Sequence, residues 1–440
     1  MRPHVSWADL RSGAVGVWGV GVEGRATLRR LAALGVAPAI VVDDRPPAEP
    51  VEGHRVVVSS PDALDALGRC AHVVKSPGIS RHGEAARRVE AGGAVLVGGL
   101  GLWLEEADGA RVACITGTKG KSTTAAVAAA LAEGLGTRCF VGGNLGAPPW
   151  DPAERADVDR WIVETSSFQA ADVSRSPGVV VVTSLAEDHT DWHGDRATYE
   201  SDKLSLCSQP GARLTVANGD DARLREVADR LGPEVVWVGL PDQVPAWAER
   251  LPLVGRHNLR NALLAQRALV ELAVPGADDP AALAAAAAGV APLESRLQVI
   301  GTLDGVRFVD DSLATNALPT AAALEAFAGE RVALLVGGHD RGVDYAPLAD
   351  AVGAFEGELL VVAMPDNGAR IAAALPTGVQ RAPAEDLVAA VRTGWGFARP
   401  GGVVLLSPAA PSFGRFRDYR DRSAAFRAAM EGLGGATLGA

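Results

Sequence analysis

Short apolar runs bounded by glycine recur along the chain, each followed by a stretch with helical spacing. Before residue 100 they read AVGVWGVG, APAIVVDD, HRVVVSS, AHVVKSPG and AVLVGG. Unbroken apolar runs predict strands buried on both faces, and their interleaving with helical periods predicts a parallel α/β sheet. A polar stretch, LEEADGAR at 104–111, predicts a hinge, and RVACIT then opens a second series through RWIVETSS, GVVVVTSLAEDH, RLTVANGDD and EVVWVGL. GRHNLRNALLAQRALVEL has helical spacing, and AALAAAAAGVA at 281–291 is rich in the best helix former. APLESR at 291–296 predicts a second linker, beyond which VRFVDDS, RVALLVGG, ELLVVAM and GGVVLLSPA predict four more buried strands. The pattern therefore predicts an α/β chain of three domains, at 1–107, 108–291 and 292–440.

Composition narrows the function. The 440 residues are 48% hydrophobic and 22% charged, ordinary for a globular protein and long for a single core. A net charge of -11 argues against a nucleic-acid partner, because no basic stripe exists to displace phosphate counterions. Small anions must then be held by local sites. Cys70, Cys114, Cys139 and Cys207 are widely spaced without a CxxC pair and read as reduced packing residues. MRPHVSWADLRSG is not a signal pattern, and no apolar run nears the roughly 18 residues of a membrane span. The expectation is a cytoplasmic protein without membrane insertion.

Two glycine loops carry the chemistry. VWGVGVEGRATLRRLAALG places Gly19, Gly21 and Gly24 in GxGxxG spacing after a strand, with Asp43 and Asp44 ~20 residues on. Such a turn brings backbone against a diphosphate at a helix N-terminus, which fits a dinucleotide, a nucleotide sugar, or a tight turn with no ligand. The second loop, GTKGKST, follows RVACIT and opens an alanine-rich helix, although a full Walker A loop would have glycine where Ile115 stands. Backbone NH groups from Gly117 through Thr118, Lys119 and Gly120 can cradle phosphate oxygens, while Lys121 reaches the terminal phosphates and Ser122 or Thr123 meets Mg²⁺. Downstream, Glu164 ends one apolar run, and Glu187, Asp188 and His189 end another. Each alone is explained as a helix cap or a packing residue. Together with a phosphate loop they predict a Mg·ATP site.

The ordered set GTKGKST, ETSSFQ, EDHTDWHG, TYESDK, GRHNLRNA, DDSLATN, GGHDRG and SPAAPSFGRF resembles the Mur ligases, and within them the MurD type, which adds glutamate to UDP-N-acetylmuramoyl-L-alanine. The resemblance spans nearly the whole chain and implies three parts: an N-terminal Rossmann-like domain for the UDP substrate, a central P-loop ATPase-like domain, and a C-terminal Rossmann-like domain that closes over the ATP with the incoming amino acid. It implies that Gly21, Val22, Glu23, Gly24, Asp43, Asp44, Arg45, Ser76, Pro77, Gly78, Asn144 and Ser166 face the UDP substrate. Lys121 and Ser122 match the phosphate-loop lysine and hydroxyl, and Glu164 and His189 match magnesium ligands. Lys203 matches a lysine that becomes carbamylated and supports a second magnesium, and Asn261, Arg296 and Asp311 match contacts to ATP. Thr315, Arg341, Ser412, Phe413 and Tyr419 match the glutamate pocket, where a guanidinium suits a dicarboxylate. Catalysis would fall to Lys121, His189 and Lys203, with ATP and two Mg²⁺ ions, in a monomer.

Four positions depart from the family's pattern: Lys119 stands for asparagine, Leu313 for lysine, Ser295 for histidine and Gly101 for an acid. GTKGKST resembles the form found in ligases that add L-glutamate and leave inversion to a separate epimerase, so L-glutamate is favoured over D-glutamate. Lineage drift is the plainer explanation of the same substitutions. A folate-polyglutamate ligase would lack the first glycine-loop domain. An NAD-dependent dehydrogenase would leave GTKGKST unused. A non-catalytic nucleotide-sugar-binding regulator would have no need of Lys121, Glu164 or His189 together.

Overall fold

The computed structural model describes residues 2–47, 50–51, 53–154, 157–291 and 293–436. Its strands form three sheets. The first joins β1 (Val15–Trp18), β2 (Ile40–Asp43), β3 (Val56–Val58), β4 (His72–Lys75) and β5 (Val95–Gly98) in the order β3-β2-β1-β4-β5, all parallel. The second joins β6 (Val112–Thr116), β7 (Cys139–Gly143), β8 (Arg160–Glu164), β9 (Val179–Val182), β10 (Leu214–Asn218) and β11 (Val235–Val238) in the order β11-β10-β9-β6-β8-β7, again parallel. In each the strand order reverses beside β1 or β6, and that reversal opens a crevice at the carboxyl ends of the strands. Both glycine loops leave their sheets there.

These two sheets fall in one compact unit, Met1–Arg250 with Arg260–Val290. One continuous core runs from Val15 and Val17 through Val112 and Cys114 to Val180 and Leu231. The unbroken run Val179–Val182 is buried throughout, as a strand covered on both faces requires. Burial also pushes the Cys114 thiol up to about 12, so it packs as an inert side chain. Leu104–Glu106, the start of the polar 104–111 stretch, complete the helix Gly99–Glu106, and only the residues after them are extended or turned.

The other unit, Leu251–Leu259 with Ala291–Ala440, holds the third sheet. Here β12 (Gln298–Leu303), β13 (Val306–Asp310), β14 (Arg331–Val336), β15 (Glu358–Ala363), β16 (Gln380–Pro383) and β17 (Val403–Leu406) lie in the order β12-β13-β17-β14-β15-β16, with only β12 antiparallel to its neighbour. Val332, Leu334 and Val336 enter one apolar cluster while Ala333 and Leu335 enter another, so β14 is buried on both faces. Pro292, in the expected linker, lies outside the described residues. The helix Pro280–Ala287 forms within the alanine run, and the expected helix over GRHNLRNALLAQRALVEL forms as Arg256–Glu271.

β7, β12 and β16 are strands that the apolar runs did not announce. All three lie at sheet edges, where one side is open. β16 alternates among exposed residues and ends in Pro383, which an edge tolerates because no further strand needs its missing NH.

Candidate active site

The first glycine turn is dictated by crowding. A Cβ on Gly24 would lie 1.9 Å from the Gly19 carbonyl oxygen, and one on Gly19, at φ 94°, would lie 2.4 Å from Ser76 Oγ. Only glycine lets the helix Val22–Ala33 seat this closely on the end of β1. Asp43, ending β2, braces the turn: Oδ2 accepts from the Val20 NH at 2.7 Å and Oδ1 from the Arg45 NH at 3.0 Å. With both oxygens engaged by backbone, the acid is poorly placed to read the ribose of a dinucleotide.

A cleft of about 650 Å³ opens over this turn. Gly21, Val22, Glu23, Asp43, Asp44, Ser76, Pro77, Gly78 and Asn144 line it, joined by Gly19, Ile79, Gly143, Leu145 and Gly146. Of the expected substrate residues, Gly24, Arg45 and Ser166 are not in the lining. Gly24 acts through the turn geometry, and Arg45 is exposed. The Ser166 hydroxyl caps the helix Ser167–Ala170, accepting from the Gln169 NH while the Gln169 side chain returns to the Ser166 NH. Gln169 also donates to Glu23 at 2.7 Å. Burial drives the Glu23 carboxyl up to about 7, against that hydrogen bond and against Lys75, so near neutral pH it carries a proton much of the time. Gly143, Leu145 and Gly146 extend the lining from the end of β7, an edge strand whose sequence, CFVGG, closes on two glycines.

The phosphate loop joins β6 to the helix Lys121–Gly134. Gly117 and Gly120 have φ of 138° and 91°, and a Cβ on them would meet Thr183 Oγ1 at 2.1 Å and Asn261 Oδ1 at 2.7 Å. Asn261 is therefore brought against the loop. Three lysine side chains converge here. Lys121 donates to the carbonyls of Gly117 and Thr118 at 2.9 and 3.2 Å, and Lys203, fully buried, donates to Gly117 at 3.0 Å. Lys119 pairs with Asp188 at 3.2 Å, while its backbone is held by Ser184. Thr118 Oγ1 bonds the Tyr199 hydroxyl at 2.8 Å, tying the loop to the helix Arg196–Leu204 that carries Lys203. Ser122 and Thr123 begin the following helix, with Thr123 buried.

Electrostatics follows from this crowding. Burial, and then Lys121, hold the Lys203 pKa well below that of an ordinary lysine, which favours the neutral amine. Burial raises the Asp188 carboxyl, but Lys119 and His189 outweigh it and keep Asp188 ionised. His189 has its pKa lowered by desolvation, against Asp188 and with the nearby lysines. Its ring meets Phe168 at a centroid distance of 4.8 Å, and its backbone is left-handed at φ 52° before the helix Thr190–His193. Glu164 is buried at the end of β8 and accepts from Asn144 Nδ2 at 2.8 Å, so Asn144 links the cleft to the acid beside the phosphate loop.

In the other unit, Asp311 is buried, accepts from Ser407 Oγ at 2.7 Å and from the Leu297 NH at 3.3 Å, and burial raises its carboxyl to about 7. Arg296 and Thr315 are half-buried, Arg341 and Phe413 are exposed, and Tyr419 opens the helix Tyr419–Ala436. A cavity of about 290 Å³ is lined by Gly337, Gly338, Ser412, Arg415 and Arg422 among others. Ser412 alone of the expected glutamate residues reaches it. Arg422, buried and bonded to the carbonyls of Ala410 and Ser312, was not singled out by any motif.

Two of the sequence departures have local explanations. A Cβ on Gly101 would lie 2.7 Å from the Asp172 carbonyl oxygen, so the acid usual there has no room. Ser295 is fully buried and donates to Asp310 at 3.1 Å. Nothing in the structure explains Leu313.

Comparison with known proteins agrees with this geometry. Residues 115–251 match the Mur ligase middle domain, and residues 295–410 match the Mur ligase, glutamate ligase domain. The chain is 39% identical to a UDP-N-acetylmuramoyl-L-alanine--L-glutamate ligase of a Micromonospora species, over 97% of this chain and 98% of that protein. It is also 39% identical to a protein of the same name from Xanthomonas axonopodis pv. citri, over 95% of each. The UDP-N-acetylmuramate-alanine ligase MurC of Thermotoga maritima shares the fold at a TM-score of 0.56 and 19% identity, covering 96% of this chain and 100% of that one. With both family domains matched in order and full-length relatives at this identity, the chain belongs to the Mur ligase family.

Proposed function

We propose that this chain joins L-glutamate to UDP-N-acetylmuramoyl-L-alanine at the expense of ATP, in the building of peptidoglycan precursors. The observation that carries the reading is one compact unit in which a diphosphate-type glycine turn, a cleft of about 650 Å³ and a phosphate loop surrounded by Lys119, Lys121 and Lys203 are joined through Asn144 and Glu164. A carboxylate resists attack by an amine because it is anionic and has no leaving group. Transfer of the ATP γ-phosphoryl group to the alanyl carboxylate removes both obstacles. The glutamate amine then attacks the acyl phosphate, and phosphate leaves from the tetrahedral intermediate. Such chemistry depends on positioning and charge neutralisation. Lys121 supplies that charge at the γ-phosphate, leaving the carbonyls it holds in the free loop.

The donors fit magnesium: a buried carboxylate on Glu164, the Ser122 hydroxyl at the helix start, and a histidine held towards its neutral form at His189. Bound magnesium would neutralise phosphate charge. Two ions are proposed, the second held through Lys203 as its carbamate. The support is that burial and Lys121 lower the Lys203 pKa, in the direction of the neutral amine, which is the form that reacts with carbon dioxide. His189 or solvent accepts the proton that the attacking amine sheds. Thr315, Arg341, Ser412, Phe413 and Tyr419 are proposed to hold glutamate, and Arg296 and Asp311 to meet ATP. Domain borders at 107/108 and 291/292, a monomeric state, a cytoplasmic setting and a separate epimerase acting after the ligase complete the proposal. Among the described residues no helix is long and apolar enough to cross a membrane.

The runner-up is the same ligase using D-glutamate, and the relatives' names favour the L-form. ADP release from ATP and UDP-N-acetylmuramoyl-L-alanine, measured separately with each enantiomer, decides. Release with L-glutamate alone is expected. Release with neither would defeat the ligase reading, and preference for D-glutamate would overturn the stereochemical one.

A further inference from the structure

Among the described residues, His82, His193 and Asp202 form a group of metal-type donors whose ligand atoms all lie within 4.8 Å of one another. His82 Nε2 and His193 Nδ1 reach the same oxygen, Asp202 Oδ2, at 2.7 and 2.8 Å. The other oxygen, Oδ1, is taken by Arg2 at 3.4 Å. His193 is fully buried, and its remaining nitrogen meets Ser167 Oγ at 3.0 Å. His82 is about a third exposed and opens the cluster to solvent.

We propose that these three side chains form a site for one divalent ion of the zinc type. Two imidazoles and one carboxylate suit zinc and disfavour magnesium, which takes an octahedron of oxygens. Donors around tetrahedral zinc stand about 3.3 Å apart, from bonds of about 2.0–2.1 Å. The present contacts need to open by about half an ångström. His193 would bind through Nδ1 and donate its Nε2 proton to Ser167 Oγ, the supporting hydrogen bond that orients histidine ligands. Its ring proton moves from Nδ1 to Nε2, so a neutral imidazole gains or loses none. The positive charge of Arg2 opposes the ion, which limits affinity without removing a donor.

The site joins three segments. His82 follows the Ser76–Ile79 wall of the cleft, His193 ends the helix that His189 precedes, and Asp202 is adjacent to Lys203. An ion here fixes the cleft wall against the helices that carry two proposed catalytic residues.

The test is titration of the full chain with Zn²⁺ by calorimetry and with Co²⁺ by visible absorption, in millimolar Mg²⁺ and without nucleotide. One equivalent is expected to bind in the presence of Mg²⁺, with a tetrahedral Co²⁺ spectrum. His82→Ala should weaken binding at least tenfold while the unliganded variant keeps its circular dichroism and melting temperature. Ser167→Ala, which leaves all three donors, should weaken it by about tenfold. Binding unchanged by His82→Ala, or no binding tighter than about 1 mM, would overturn the proposal.

Discussion

The phosphate loop and the glutamate residues make an instructive contrast. Around Gly117 and Gly120 the charged groups are held by short contacts within one unit: Lys121 and Lys203 donate to the Gly117 carbonyl, and Lys119 pairs with Asp188. The expected glutamate residues come instead from separate loops of the third sheet's unit, and Ser412 is the one among them that lines the cavity of about 290 Å³ described there. A pocket formed by close backbone turns is complete before its ligand arrives. One formed by long side chains from dispersed loops takes more of its shape from the ligand. Mutations in the two regions should therefore differ in size and in which kinetic constant they move.

The largest effect belongs to Lys121→Ala. Removal of one preorganised charge at the phosphates is expected to lower kcat by roughly 10³-fold, with little change in the melting temperature, because Lys121 is only half-buried. Single-turnover ADP formation measures it. Near-normal turnover would erase the contrast by removing the phosphate loop from the chemistry.

Gly24→Ala comes next. The new methyl meets a backbone carbonyl at 1.9 Å, so the helix Val22–Ala33 must lift from the turn. Overpacking of this kind costs about 1–3 kcal/mol. KM for the UDP substrate should rise by roughly tenfold to a hundredfold, while KM for glutamate stays put. Thermal unfolding and the two KM values are the readouts, and an unchanged KM for the UDP substrate would separate the turn from the cleft.

These regions also differ in how far they were legible from residues alone. Gly24 could be read because its steric demand, the Gly19 carbonyl, lies within one strand-turn-helix, and Gly19, Gly117 and Gly120 because their positive φ belongs to the turn itself, although the atoms that crowd these three come from elsewhere in the chain. The inner strands were legible for the same reason: burial on both faces leaves an unbroken apolar run, as at Val179–Val182. β7, β12 and β16 left no such run because their apolar residues are few or interrupted, by Gly142 and Gly143 in β7, by Gly301 in β12 and by Gln380 and Arg381 in β16. Ser166 was misleading in another way. Its hydroxyl is engaged in a capping box, whose Gln169 reaches the cleft through Glu23. Lys119 was noticed as an extra charge, but only the fold pairs it with Asp188, 69 residues on. That pairing ties the loop to the acidic stretch after β9, within the same unit.

Ser412→Ala sharpens the weaker side of the contrast. One neutral hydroxyl contributes about 0.5–1.5 kcal/mol, so KM for glutamate should rise roughly threefold to tenfold with kcat nearly unchanged. Initial-rate kinetics with glutamate varied provide the check. A fall in kcat as large as that of Lys121→Ala would mean that both regions are preorganised alike.

The smallest effect is a pH dependence in the cleft. Glu23 is an acid whose pKa is raised on folding, from 4.5 to about 7, so the folded state holds its proton more tightly than the unfolded chain. The stability this proton lends is full below about pH 4.5 and is lost as pH rises through about 7. A shift of that size corresponds to at most ~3 kcal/mol, and the cleft's contact with solvent cuts it to roughly 1. Glu23→Gln keeps an oxygen that can accept from Gln169 and cannot ionise. It should therefore raise the melting temperature by about 2–4 °C at pH 8 and leave it unchanged at pH 4. A diphosphate meets the same charge, so the wild type should bind the UDP substrate less tightly as pH rises through 7, and the variant should not. Parallel slopes in the two proteins would mean that Glu23 is ionised throughout and that the cleft tolerates the repulsion.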